Sequence, residues 1–212
     1  MFNVCSQCGL YRGDKEIEVD ADGSFAVCPE CGYRHPFLRL PLLIIGGASG
    51  TGKSTASARL AGKIPGVVVL ESDILWNAYY ADQERYAEYF NTWLRMCKNI
   101  SQSGQPVALF GAGLGVPGNI EGCVERRYFT TVHYLALVCD DDVLVERLRA
   151  RPSWRGSAEE EWLSSQTAFN RWYKEEASRG EPLVELMDTT RRSVEESVLE
   201  VEAWIKVRRA GA

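Results

Sequence analysis

Between Gly47 and Ser54 the chain reads Gly-Ala-Ser-Gly-Thr-Gly-Lys-Ser, which satisfies G-x-x-x-x-G-K-[ST], a spacing whose chemistry is the cradling of a polyphosphate. Glycines lack a Cβ, so backbone N–H groups turn inward and approach closely, and the positive end of a helix restarting near Gly52 adds to their field. Gly47, Ser49, Gly50, Thr51, Gly52 and Thr55 are therefore expected to surround ATP. Lys53 is expected to reach its β- and γ-phosphates, and the Ser54 hydroxyl to hold Mg²⁺.

A second set of reactive side chains is Glu71-Ser72-Asp73, which follows an apolar run at 67–70. Alternation along an extended chain puts Glu71 and Asp73 on one side. Such a pair suits Glu71 to the Mg²⁺ site and Asp73 to orienting or deprotonating an attacking hydroxyl. The same three residues also read as a helix N-cap. No Asp stands in the glycine-rich stretch 110–115 to serve as a Walker B residue, and that stretch reads equally as a substrate approach or a plain loop. Farther on come Arg147, Arg149 and Arg151, with Arg155 beyond Pro152. Arg147 and Arg151 are expected to neutralise charge on the γ-phosphate, and Arg149 to face solvent.

The third set is four cysteines, Cys5-x-x-Cys8 and Cys28-x-x-Cys31, separated by nineteen residues. This is the spacing of a Cys₄ zinc ribbon, a closed and therefore structural Zn²⁺ site. Seven cysteines in all, with Cys97, Cys123 and Cys139 scattered through apolar stretches, argue against a disulfide framework. The scattered three are read as small buried hydrophobes, and His35 as a surface or linker residue. In residues 1–39 the acidic side chains outnumber the basic ones, the opposite of what a polyanion requires, so nucleic acid is not the expected partner. Packing against the rest of the chain or against a protein is the expected role.

These sets need a scaffold, and the pattern from residue 41 supplies an α/β one. Short apolar runs at 42–45, 67–70, 107–110, 132–139 and 183–187 read as buried parallel strands. Helical periodicity fills the gaps, over 53–63, 78–103 and 143–151, and from two capping boxes, Ser157 with Glu160 and Ser193 with Glu196. The expected fold class is α/β: a P-loop NTPase fold with a five-stranded parallel sheet covered on both faces, plus a small N-terminal zinc ribbon. The ribbon occupies 1–39 and the P-loop unit 40–212, with a lid at about 150–160.

Composition fits that picture. The chain has 212 residues, 45% of them hydrophobic and 25% charged, with a net charge of −5. Those values describe an ordinary globular protein with room for one sizeable core. No stretch has the length of a membrane span or the flanks of a signal peptide, so a cytoplasmic protein with no membrane partner is expected. No feature specifies an oligomeric state.

Over residues 41–207 the chain resembles the small P-loop kinases of the nucleoside-monophosphate-kinase-like group, particularly shikimate kinase and gluconate kinase. Glu71-Ser72-Asp73 stands where shikimate kinase carries Asp-Ser-Asp, and Gly111 to Gly115 resembles its three-glycine stretch. Arg147-Leu148-Arg149-Ala150-Arg151 is similar to the Arg-Leu-Lys-Ala-Arg of gluconate kinase, with Ser165-Gln166 near its Ser-Gln or Thr-Gln. Met187-Asp188-Thr189-Thr190 resembles the loop that borders adenine, which implies nucleotide contacts for Asp188 and Thr189. The resemblance implies an ATP- and Mg²⁺-dependent phosphotransferase acting on a hydroxyl of a small-molecule acceptor: a nucleoside, a sugar or a hydroxy acid. Two departures stand out. Glu71 is longer than Asp by a methylene, and residues 74–99 carry Trp76, Tyr79 and Tyr80, which suit a ring-bearing alcohol, with few cations beside Arg85, Arg95 and Lys98. Two other readings stay open, a nucleotide or polynucleotide-end kinase and a nucleotide-binding regulatory module that signals through the ribbon.

Overall fold

A computed structural model describes residues 3–209. The first part is a three-stranded antiparallel sheet, β1 (Glu16–Asp20), β2 (Gly23–Val27) and β3 (Arg34–Phe37). The β1–β2 hairpin follows the alternation around Ile17 and Phe25, whereas β3, interrupted by Pro36, carries no periodic signal in the sequence. The small core beneath it consists of Ala26 and Phe37 with Ile17, completed by Tyr128 from far along the chain.

Then come β4 (Leu42–Gly46), α1 (Lys53–Leu60), β5 (Val68–Glu71), α2 (Tyr86–Ser101), β6 (Val107–Phe110), α3 (Pro117–Glu121) and β7 (Val132–Val138). The chain closes with α4 (Asp141–Arg149), α5 (Glu160–Glu175), β8 (Val184–Asp188) and α6 (Val194–Arg208). The five strands are all parallel in the order β5-β6-β4-β7-β8, so the strand that leads into the glycine motif is central. Centrality explains its composition. Leu42 and Ile44 pack on one face with Trp93 of α2 and Tyr173 of α5, and Leu43 and Ile45 pack on the other with Leu60 of α1 and Ile205 of α6. All four are fully buried, which is why β4 reads as an unbroken apolar run.

The strands lie within a residue of expectation, but three local readings need correction. The helix expected from residue 78 begins at Tyr86. Upstream, the side chains of Asn77 and Asp82 accept the N–H groups of Tyr79 and Glu84, and these Asx turns draw the backbone away from helix. The Ser157–Glu160 capping box does not form: the Ser157 hydroxyl donates to the Leu148 carbonyl at 3.0 Å, and α5 starts beyond Glu159. The Ser193–Glu196 box is complete, with both reciprocal bonds made. His35, expected on the surface, is buried in β3 with its ring edge-on to Tyr33. Cys97 and Cys139 are buried as expected, while Cys123 is half-buried and its thiol donates to the Asn119 carbonyl. Among the described residues no helix is long and apolar enough to cross a membrane.

Candidate active site

Parallel strands present their carboxyl ends to one edge of the sheet, and that is where ligands of such folds bind. Here the ends of β4, β5 and β6 deliver the glycine loop, Glu71 and Gly111 to a single cleft of about 490 Å³. The loop leaves β4 at Gly47, whose φ of +129° belongs to glycine, and a Cβ there would lie 2.3 Å from the Leu137 carbonyl oxygen. Thr51 is buried, and its hydroxyl donates to the Ala48 carbonyl at 2.9 Å, closing the loop on itself.

Lys53 opens α1 and turns its ammonium back over the loop, donating to the carbonyls of Gly47 at 2.8 Å and Ala48 at 2.9 Å. Burial pushes this ammonium down to about 8; the Asp73 carboxylate opposes the shift, Arg151 adds to it, and Glu71 opposes it. The unfolded chain keeps the proton to its ordinary value of 10.5, so fold stability rises with pH between about 8 and 10.5 as the folded state sheds it. On the expectation that Lys53 holds phosphate, binding follows the opposite sign, because it would need the cation. Affinity for ATP measured without acceptor should be flat up to about pH 8, then fall about tenfold per pH unit. Calorimetric titration from pH 7 to 9.5 checks this, and a flat profile throughout would remove Lys53 from the phosphate contact.

Ser54, Glu71 and Asp73 line the same cleft as Lys53. Asp73 lies in a short 3₁₀ turn, Ser72–Leu75, and no side chain caps that turn. Instead the Ser72 carbonyl accepts the Tyr89 hydroxyl at 2.8 Å, which ties the acidic segment to α2. Opposite the carboxylates stand Trp76, Tyr86 and Tyr89, with Trp76 edge-on to both tyrosines at ring distances of 6.1 and 5.2 Å. Tyr79 and Tyr80 do not line the cleft: Tyr79 bonds Glu88 beneath the Arg85 guanidinium, and Tyr80 packs on Tyr89. The floor is Gly111 to Gly113, where glycine is a packing requirement. A Cβ on Gly113 would fall 2.3 Å from the Tyr86 hydroxyl.

A second cavity of about 300 Å³ adjoins the first and shares Gly50, Gly52, Thr55 and Arg151 with it. Arg147 and Thr189 line it, the Arg147 guanidinium donating to the Thr189 hydroxyl at 3.0 Å and carbonyl at 2.8 Å. Asp188, placed beside it in sequence, does not line this cavity; its carboxylate accepts the N–H and hydroxyl of Thr190. Arg151 faces both cavities, Arg155 only the first, and Arg149 is exposed and paired with Glu160 at 2.8 Å. Three more residues belong here, two that sequence reasoning missed, Trp162 and Arg192, and Gln166, which it met only through the Ser165-Gln166 resemblance. Trp162 lines the cleft, the Gln166 side-chain carbonyl accepts the Ser49 N–H at 2.8 Å, and Arg192 lines the second cavity. Trp162 and Gln166 stand four apart on α5, so helical periodicity places them on one face once that helix is known.

In the N-terminal segment the four cysteine sulfurs lie within 4.8 Å of one another, with Cys5 to Cys31 and Cys8 to Cys28 at 3.7 Å. Tetrahedral zinc with bonds of about 2.3 Å has sulfur–sulfur edges of about 3.8 Å, so the spacing fits. Both pairs sit on the same turn, closed by Gly9 N–H to Cys5 at 2.8 Å and Gly32 N–H to Cys28 at 2.9 Å. Burial opposes ionisation of Cys5, but the N–H groups of Cys8 and Gln7 together with His35 bring its thiol down to about 5.

No family model and no curated protein matches the sequence. Solved structures match the fold. A sugar kinase from Janibacter sp. HTCC2649 is 16% identical, with 82% of this chain and 98% of that one covered and a TM-score of 0.58. A gluconokinase from Sinorhizobium meliloti 1021 is 21% identical, with 82% and 96% covered and a TM-score of 0.54. A shikimate kinase from Bacteroides thetaiotaomicron is 17% identical, with 79% and 98% covered and a TM-score of 0.51. The chain has the fold of the P-loop small-molecule kinases, joined to a four-cysteine cluster at its N-terminal end.

Proposed function

We infer that the protein transfers the γ-phosphoryl group of ATP to a hydroxyl of a small, uncharged, ring-bearing alcohol such as a nucleoside or a sugar. The observation that carries this reading is the convergence of Lys53, Ser54, Glu71 and Asp73 on one cleft walled by Trp76, Tyr86 and Tyr89. The loop amides and Lys53 hold the β- and γ-phosphates. Asp73 takes the proton of the attacking hydroxyl, while Arg151 and Arg155 balance charge on the phosphoryl group in flight. Ser54 and Glu71 offer the hard oxygen donors that Mg²⁺ prefers, and the bound ion would supply neutralisation of the β- and γ-phosphate oxygens. The second cavity, with Arg147 and Thr189, takes the nucleoside end of ATP. The four cysteines hold a structural Zn²⁺.

The choice of an uncharged acceptor rests on where the cations of residues 74–99 go. Arg85 lies over the Tyr79 ring, and Arg95 and Lys98 both bond Glu125, so none of the three reaches the cleft wall. ADP release measured with adenosine, uridine and glucose against gluconate and shikimate tests this. Stimulation by an uncharged acceptor is the expected result, and stimulation by the acids alone would reverse the assignment. Tight ATP binding without stimulated turnover would favour the regulatory module. Trp76→Ala is expected to raise KM for the acceptor about tenfold, the worth of one aromatic contact, with ATP affinity unchanged.

A further inference from the structure

Outside the cleft, the Glu125 carboxylate is fully buried, and it gathers groups from two separate parts of the chain. It accepts Arg95 at 2.9 Å and Lys98 from α2, and Asn3 at 3.5 Å from the cysteine-bearing segment. Lys98 also donates to the Asn3 side-chain Oδ1 and lies 4.4 Å above the Tyr128 ring. Tyr128 in turn accepts the Lys15 N–H at 3.1 Å and donates to the Gly13 carbonyl at 2.7 Å. The ion pairs lie outside the cysteine-bearing segment, which supplies their cover: the Asn3 amide bonds both Glu125 and Lys98, and Gly13 and Lys15 bond Tyr128, so the buried pair keeps its full set of hydrogen bonds only with that segment in place.

Two connections run from the hub to the acceptor wall. One is α2 itself: Lys98 and Tyr89 are nine residues apart on one rigid helix, about 14 Å. Tyr89 then holds the Ser72 carbonyl beside Asp73. The other is the chain after β6, where Asn119 donates to the Gly113 carbonyl at 2.8 Å and the Val124 N–H donates back to Asn91 of α2 at 3.2 Å. The P-loop and α1 share none of these hydrogen bonds, and β7 meets the 111–128 segment through the Tyr134 side chain, which donates to Glu121 at 2.8 Å, not through its backbone N–H groups. Among the described residues, the core of the three-stranded sheet is Ala26, Ile17 and Phe37 beyond what Tyr128 lends it. A lobe of that size folds through its metal, which makes it a two-state element.

We propose that metal occupancy of the four-cysteine site sets the acceptor side of the cleft through the Glu125 hub and leaves the phosphate-binding side unchanged. The proposal rests on the reading of the cysteines as a zinc site, and neither of its readouts needs turnover. Hydrogen exchange is compared on the full chain, zinc-loaded and after EDTA treatment under reducing conditions. Residues 86–101 and 111–128 are expected to exchange about tenfold faster without zinc, with 42–60 and 132–138 unchanged.

Linkage requires the converse, that disturbing the hub weakens the metal. Glu125→Gln keeps the shape but no longer balances Lys98 and Arg95, and zinc affinity by chelator competition should fall about fivefold or more. Arg59→Ala, at an exposed pair with Glu195, should leave that affinity unchanged. Where Glu125→Gln fails to fold, Asn3→Ala removes only the cysteine-segment partner and should shift zinc affinity in the same direction. Exchange that rises everywhere or nowhere, or zinc affinity untouched in a folded hub variant, overturns the coupling. A chain that takes up no zinc overturns the metal reading on which it stands.

Discussion

Lys53→Ala should lower acceptor-stimulated ADP release about a thousandfold, the loss expected when a preorganised charge facing the transferring phosphoryl group is removed. The fold should survive the change. The ammonium is half-buried and still charged at neutral pH, but burial lowers it from 10.5 to about 8, so holding that charge costs the folded state stability that the variant regains. Of the two carbonyls that it leaves behind, that of Ala48 keeps the Thr51 hydroxyl as a donor. A thermal melt should therefore show no loss of stability beside the collapse of turnover. A rate that stays within a few-fold of wild type would detach Lys53 from the chemistry.

Asp73→Asn should lower kcat about a thousandfold while leaving ATP affinity intact, because the amide keeps the size and an acceptor oxygen but cannot take a proton. Glu71→Gln should behave differently, raising the Mg²⁺ concentration needed for half-maximal rate with a smaller loss at saturation. The contrast separates two carboxylates that line one cleft and both face Lys53. Stopped assays over a Mg²⁺ series resolve it, and equal behaviour of the two variants would merge their roles.

Central features of this arrangement are legible in the sequence because they follow from local rules. An apolar run running into glycines specifies β4 and the loop, and two C-x-x-C pairs specify the sulfur cluster. The Ser193–Glu196 box is legible for the same reason, being complete within four residues. What resists reading is decided by partners remote in sequence. Ser157 fits the capping pattern, yet its hydroxyl finds the Leu148 carbonyl first. His35 looks like a linker residue until β3 folds it under the small sheet. The glycines after β6 are there because Ser72 and Tyr86 press against them, and neither neighbour is visible from the loop itself. The Glu125 hub is of the same kind, joining residues 27 and 122 positions apart.

The aromatic wall has a consequence for how such a protein could change its acceptor. Tyr89 is only 4% exposed and serves the interior and the cleft at once, so recutting it to admit a different molecule also recuts the core around Trp93. Trp76, nearly half exposed and ahead of the helix, carries no such double duty. Diversification of substrate choice, by selection or by design, therefore has an inexpensive door at residue 76 and a costly one at residue 89.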